Sequence, residues 1–140
     1  MLTGDQMIGI ILVTHGLFCE ELIKTAEMIV GHQDCIETIS MLDGSSLAGV
    51  ADEIEKAIEK YDSTGAIVFT DMFGGSPSNI SMAYLGTKNV EVVSGVNLPM
   101  LIKALSARKE NKSLTAICED CAESGKNSII VAGQLLKGKA

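Results

Sequence analysis

Short apolar runs alternate along this chain with segments of helical periodicity. Met7-Ile-Gly-Ile-Ile-Leu-Val13 is continuous and β-branched, as a strand buried on both faces should be. From Leu22 the apolar residues Ile23, Ala26, Ile29 and Val30 recur at helical spacing, with Glu20, Glu21, Lys24 and Glu27 on the other side and Gly31 as the stop. Cys35 to Leu42 is a second, weaker strand. Gly44-Ser45-Ser46 supplies an N-cap for a stripe of Leu47, Val50, Ala51, Ile54, Ala57, Ile58 and Tyr61. Ala66 to Phe69 and Val90 to Val93 are the third and fourth strands. Between them a helix opens at Ser76-Pro77, with Ser76 as cap and Pro77 as first residue, and runs to about Leu85. Leu98 to Arg108 and a stripe of Leu114, Ile117, Cys118, Cys121 and Ala122 are two more helices, and Ile129 to Ala132 is a last short strand.

This order predicts an α/β fold: a doubly wound, mostly parallel sheet with helices on both faces. The last strand follows a helix with only a brief turn, so it is expected to be antiparallel or to belong to a partner's sheet. No linker or composition shift divides the chain, so the 140 residues read as one domain with its core over about 8–132.

Composition narrows the function. The chain has 11 Lys and Arg against 18 Asp and Glu, a net charge of −7, and 4% aromatic residues. Without a basic stripe or stacking aromatics it is a poor nucleic-acid binder. Its longest early apolar run is far below the roughly 20 residues a membrane span needs. Met1 to Gln6 carries Asp5 and no Lys or Arg, unlike a secretory leader. The expectation is a cytoplasmic protein whose four cysteines stay reduced.

In doubly wound sheets, ligands bind at the carboxyl ends of strands. Three segments follow such ends: Thr14-His15-Gly16, Thr70 to Pro77, and Ser94-Gly-Val-Asn97-Leu-Pro99. A histidine closing a strand is by itself ordinary. Asp71 at the rim of a neighbouring strand gives His15 weight. A carboxylate that accepts from one ring nitrogen fixes the tautomer and leaves the other nitrogen nucleophilic. Gly74-Gly75-Ser76-Pro77 lets a backbone approach closely and opens a helix, which makes it a candidate phosphate cradle beside His15.

Other chemistries fail on spacing. No G-x-x-x-x-G-K-[ST] is present, and Gly-Gly-Ser-Pro-Ser is not a nucleophile elbow. A receiver domain needs paired acids where Thr14-His15 stands, and a histidine phosphatase needs Arg where Thr14 stands. Cys118 and Cys121 have C-x-x-C spacing, but both lie on an apolar helix stripe with no second pair and no nearby His, so they read as core and no metal is expected. His32 reads as exposed loop, and the acids from Asp43 to Asp62 as a solvated helix face.

Ile-Leu-Val-Thr-His15-Gly, Thr-Asp71-Met-Phe-Gly-Gly-Ser-Pro-Ser-Asn79 and Ser-Gly-Val-Asn97-Leu-Pro-Met100 together resemble the mannose-type enzyme IIA of the bacterial phosphoenolpyruvate-dependent sugar phosphotransferase system. The resemblance runs from about Ile8 to Ile130. It implies that His15 accepts a phosphoryl group on Nε2 from the phosphohistidine of HPr, with Nδ1 held by Asp71, and passes it to a IIB protein. Gly16, Gly74, Gly75 and Ser76 are then the phosphate-binding residues, and Thr14, Asn97 and Pro99 line the site. The resemblance further implies a homodimer in which a C-terminal strand, here Ser128 to Ala132, is exchanged. It implies no metal or organic cofactor, and only indirect dealings with the membrane components IIC and IID. Since the sequence ends at Ala140, IIB is expected as a separate chain. A related phosphohistidine protein that feeds dihydroxyacetone kinase, and a regulatory module switched by phosphorylation of His15, remain the alternatives at this level.

Overall fold

A computed structural model describes residues 7–138. Met1–Gln6, read above as unlike a leader, and Lys139 and Ala140 lie outside the described residues. The elements run β1 (Gly9–His15), α1 (Phe18–Val30), β2 (Ile36–Met41), α2 (Leu47–Lys60), β3 (Ala66–Thr70), α3 (Ser76–Met82), β4 (Val90–Ser94), α4 (Leu98–Ala107), α5 (Leu114–Asn127) and α6 (Ala132–Leu136). The four strands form one parallel sheet in the order β2-β1-β3-β4. The chain therefore reverses direction across the sheet between β1 and β3, the expected place for a site.

Strand alternation divides the core into two layers. Ile10, Leu12, Ile67 and Phe69 face α1, α4 and α5, meeting Leu22, Ala26, Leu101, Leu105 and Ile117. Ile11, Val13 and Val68 face the other way, onto Val50, Ile54, Ile58 and Tyr61. Both faces are covered, which explains the continuous apolar run in β1. Ser46 caps α2 by accepting from the Gly49 N–H at 2.8 Å, and Gly31 ends α1 with φ +86°.

Arg108, just past α4, is buried to 1% exposure. Its guanidinium meets neutral acceptors: the Ile8 carbonyl at 3.0 Å, the Cys35 carbonyl at 3.2 Å, Gln33 Oε1 at 3.2 Å and the Asp34 carbonyl at 2.6 Å. It thereby ties the loop before β2 to the start of β1. Its Nε has no partner among the described residues, and burial lowers its pKa below the ordinary arginine value.

β1 ends at His15, as expected of the histidine that closes it, because pairing with β2 continues past the apolar run through Thr14 and His15. Two expectations need correction. Gly75, not Ser76, precedes α3. Asn79 N–H already reaches the Gly75 carbonyl at 3.0 Å, so Ser76 and Pro77 are the first two helical residues, and the helix gives way to i→i+3 turns after Met82. Finally, Ile129 to Ala132 forms no strand. Residues 129–131 pair with no strand of this sheet among the described residues, and Ala132 starts α6, whose Gln134 and Leu135 N–H groups bond the Val131 carbonyl. The fold class itself stands.

Candidate active site

His15 is the last residue of β1 and Asp71 directly follows β3. Because Val13 pairs with Thr70 in register, the two residues meet at the same edge of the sheet. One carboxylate oxygen, Asp71 Oδ2, accepts the main-chain N–H of His15 at 2.9 Å and lies 2.8 Å from His15 Nδ1. The second oxygen, Oδ1, accepts the Met72 N–H at 3.1 Å. Burial pushes the Asp71 carboxyl up, but the bonds from the His15 main chain and ring, with the ring's charge, outweigh it and hold its pKa below the ordinary value. An ionised carboxylate only accepts hydrogen bonds, so Nδ1 carries the proton and a neutral ring keeps its lone pair on Nε2. The His15 side chain is 50% exposed and that of Asp71 17%, so the pair faces outward from a shielded anchor.

Gly75 borders the imidazole. A Cβ there would stand 3.1 Å from His15 Cε1 and 3.3 Å from Met72 Cγ. Gly74 beside it has φ +88°, a left-handed backbone suited to glycine. Ser76 follows, and its hydroxyl has no partner among the described residues. Gly16, with φ +60°, turns the chain directly after His15. His15, Asp71, Gly16 and the Gly74–Ser76 segment are thus grouped at one rim.

Thr14 lies beneath this rim. It is fully buried, and its Oγ1 accepts the Cys19 N–H at 2.9 Å, fixing the start of α1. Asn97 caps α4 by accepting the Met100 N–H at 3.0 Å and donates Nδ2 to the Gly125 carbonyl at 3.2 Å, so both ends of its amide serve the helix layer. Pro99 is the second residue of that helix. Cys118 and Cys121 belong to the core against α4. Burial pushes the Cys118 thiol up to about 12 and the Cys121 thiol up to about 11. His32 is exposed, between Glu27 at 3.3 Å and Asp34 at 3.2 Å.

The sequence reading missed the β2–α2 loop. Met41 to Ser45 form, with His15 and Gly16, a cleft of about 450 Å³ on the side of the imidazole away from β3. The Gly16 N–H donates to the Met41 carbonyl at 2.8 Å, which draws the loop in. Large exposed apolar residues surround the rim: Leu17, Phe18, Leu42, Met72 and Phe73, the last at 74% exposure.

The family described as PTS system fructose IIA component matches residues 9–122. The chain is 33% identical over 124 residues to the mannose-specific EIIAB component of Escherichia coli K12, an alignment covering 87% of this chain but 38% of that protein. It is 31% identical over 109 residues to the sorbose-specific EIIA component of Lacticaseibacillus casei, covering 77% of this chain and 78% of that one. A phosphotransferase system component EIIA from Streptococcus agalactiae superposes with a TM-score of 0.84 at 28% identity, covering 91% of this chain and 99% of that chain. The paired histidine and carboxylate, the glycine-bordered rim and the parallel sheet that carries them therefore sit in a chain that belongs to the EIIA component family of the sugar phosphotransferase system.

Proposed function

We propose that this chain is a phosphocarrier: His15 takes a phosphoryl group from the phosphohistidine of HPr and hands it to a IIB partner during sugar uptake. The observation that carries the reading is the shared use of Asp71 Oδ2 by the His15 main chain and ring, which leaves Nε2 as the outward nitrogen. The Nε2 lone pair attacks phosphorus. The N–P bond of the donor breaks, and its electron pair returns to the donor nitrogen. The His15 ring becomes a phosphoryl imidazolium, and Asp71 stabilises its charge through the retained Nδ1–H. Transfer to IIB repeats the step with His15 as leaving group.

The protein's part is chiefly positional. Gly74, Gly75, Ser76 and Gly16 surround the place the phosphoryl oxygens take, and the Ser76 hydroxyl is available to donate. Exposed apolar residues around a half-exposed histidine suit a protein that docks another protein better than one that encloses a metabolite. IIC and IID are reached only through IIB, the cytoplasm is the compartment of this relay, and no metal or cofactor takes part.

The proposal includes a homodimer that exchanges residues 128–132. Ile129, Ile130 and Val131 are exposed, β4 is an edge strand, and an apolar groove of about 620 Å³ runs beside it between Val92, Val93, Leu85 and Ala122.

The test uses purified enzyme I, HPr and phosphoenolpyruvate. Intact mass should gain one acid-labile phosphoryl group, absent in His15→Ala. Phosphorylated HPr that leaves the wild-type chain unmodified overturns the reading.

A further inference from the structure

α3 carries the Gly75–Ser76 end of the site on only seven residues, and no side chain caps its first N–H groups among the described residues. Its own side chains bond carbonyls at its start, Asn79 Nδ2 donating to Gly74 at 3.3 Å and Ser81 Oγ to Pro77 at 2.7 Å, and neither reaches the sheet. A helix so short is marginal without tertiary anchors. A line of hydroxyls lies under it. Thr70 Oγ1 donates to Ser94 Oγ at 2.9 Å, and Ser94 Oγ and Ser78 Oγ are 3.0 Å apart. Ser78 Oγ in turn donates to Met82 Sδ at 3.6 Å. Once Thr70 donates to Ser94, the Ser94 proton is free for Ser78, and the Ser78 proton for Met82, so the chain is ordered in one direction. Thr70 and Ser78 are both fully buried. Thr70 directly precedes Asp71, and Ser78 lies three residues after Gly75. The hydroxyls therefore join the end of β3, the end of β4 and the first turn of α3, the elements that set Asp71 against Nδ1 and Gly75 beside the adjoining Cε1 of the His15 ring.

We propose that Ser78, acting through Ser94 and Thr70, is a positioning residue that holds the start of α3 against His15. A part of this inference, its effect on transfer rate, rests on the phosphocarrier reading; the geometric part does not. Among the described residues the Ser78 hydroxyl bonds Ser94 and Met82 and makes no hydrogen bond to His15. Its action is to stop Gly75 and Ser76 from drifting off the imidazole, which the transition state feels more than donor docking does.

The test compares wild type, Ser78→Ala, Ser94→Ala, the double variant and Ser94→Thr. The first readout is the NOE from the His15 Cε1 proton to the Gly75 α-protons. It should weaken several-fold in both alanine variants while the melting temperature stays within a few degrees. The second is transfer from phosphorylated HPr: kcat should fall about three- to tenfold with KM unchanged, and the double variant should be no worse than either single one, because the hydroxyls act as a unit. Ser94→Thr keeps a hydroxyl on a strand position that accepts β-branching and should retain both signals. An unchanged NOE, a loss confined to KM, or singles whose effects multiply in the double variant overturns the proposal. If wild type itself takes no phosphate, the phosphocarrier reading fails, and the NOE still decides the role of Ser78.

Discussion

The place a Cβ would occupy on Gly75 lies 3.1 Å from Cε1 of His15, closer than the ring tolerates without moving. Gly75 has φ −76°, so its backbone strains no other residue, and the glycine serves the imidazole. Gly75→Ala is expected to leave unfolding in urea within about 1 kcal/mol of wild type and to slow His15 phosphorylation about tenfold or more. Gly74 gives the opposite pattern. Its Cβ would meet open space, but φ +88° strains any L residue. Gly74→Ala should cost about 1 kcal/mol of stability with a smaller effect on rate.

Asp71 bonds both the main chain and the ring of His15, and pH separates its part in the fold from its proposed part in transfer. Its carboxyl pKa is held below the ordinary 3.8. A depressed folded-state pKa means that protons bind the unfolded chain better, so the contribution is complete above the unfolded value and lost as pH falls through the folded one. The stability gap between wild type and Asp71→Asn, measured by denaturant unfolding, should therefore be full at neutral pH and close on acidification below about pH 4. At neutral pH, Asp71→Asn should slow transfer by about 10- to 100-fold, because the amide offers no charge to a phosphorylated ring.

The rim of the sheet was readable from residue types. His15, Asp71 and the Gly74–Ser76 stretch have compositions that mark strand ends and turns, and their meeting follows from the parallel order of β1 and β3. The β2–α2 loop was not readable in this way. Leu42-Asp43-Gly44-Ser45 reads as any turn, and only the pairing of His15 with Met41 brings it to the site. Ile129-Ile-Val looks like a strand because β-branching measures fit to a pleated surface, and no strand among the described residues pairs with it. Arg108 ends a helical stretch in the sequence, and nothing there marks it as buried; its burial depends on the Gln33 side chain and the Asp34 and Cys35 carbonyls, more than seventy residues away.

That burial carries a prediction. Arg108→Met removes the donors to three carbonyls and Gln33, and should destabilise the fold by about 2–4 kcal/mol in denaturant unfolding. Arg108→Lys should recover only part of this, since one ammonium cannot span acceptors that the planar guanidinium reaches together.

The thiols of Cys118 and Cys121, pushed up to about 12 and about 11, remain protonated at pH 8. Native protein should react with an aromatic disulfide reagent at these two positions far more slowly than unfolded protein. Metal analysis of purified protein should find no stoichiometric zinc.

The 56 residues that separate His15 from Asp71 also bear on how the protein matures. During synthesis the histidine emerges with its strand long before its carboxylate exists, and the pair can form only after β3 has left the ribosome and docked beside β1 in the right register. A slip of one residue would turn alternate side chains to the opposite face and part the two. The His15 ring resonance is therefore a reporter of the slowest kind of event in such a chain, the closure of a long-range parallel contact. In refolding experiments it should reach its native position with the β1–β3 amides, after helix signals from α1 and α2 have already appeared.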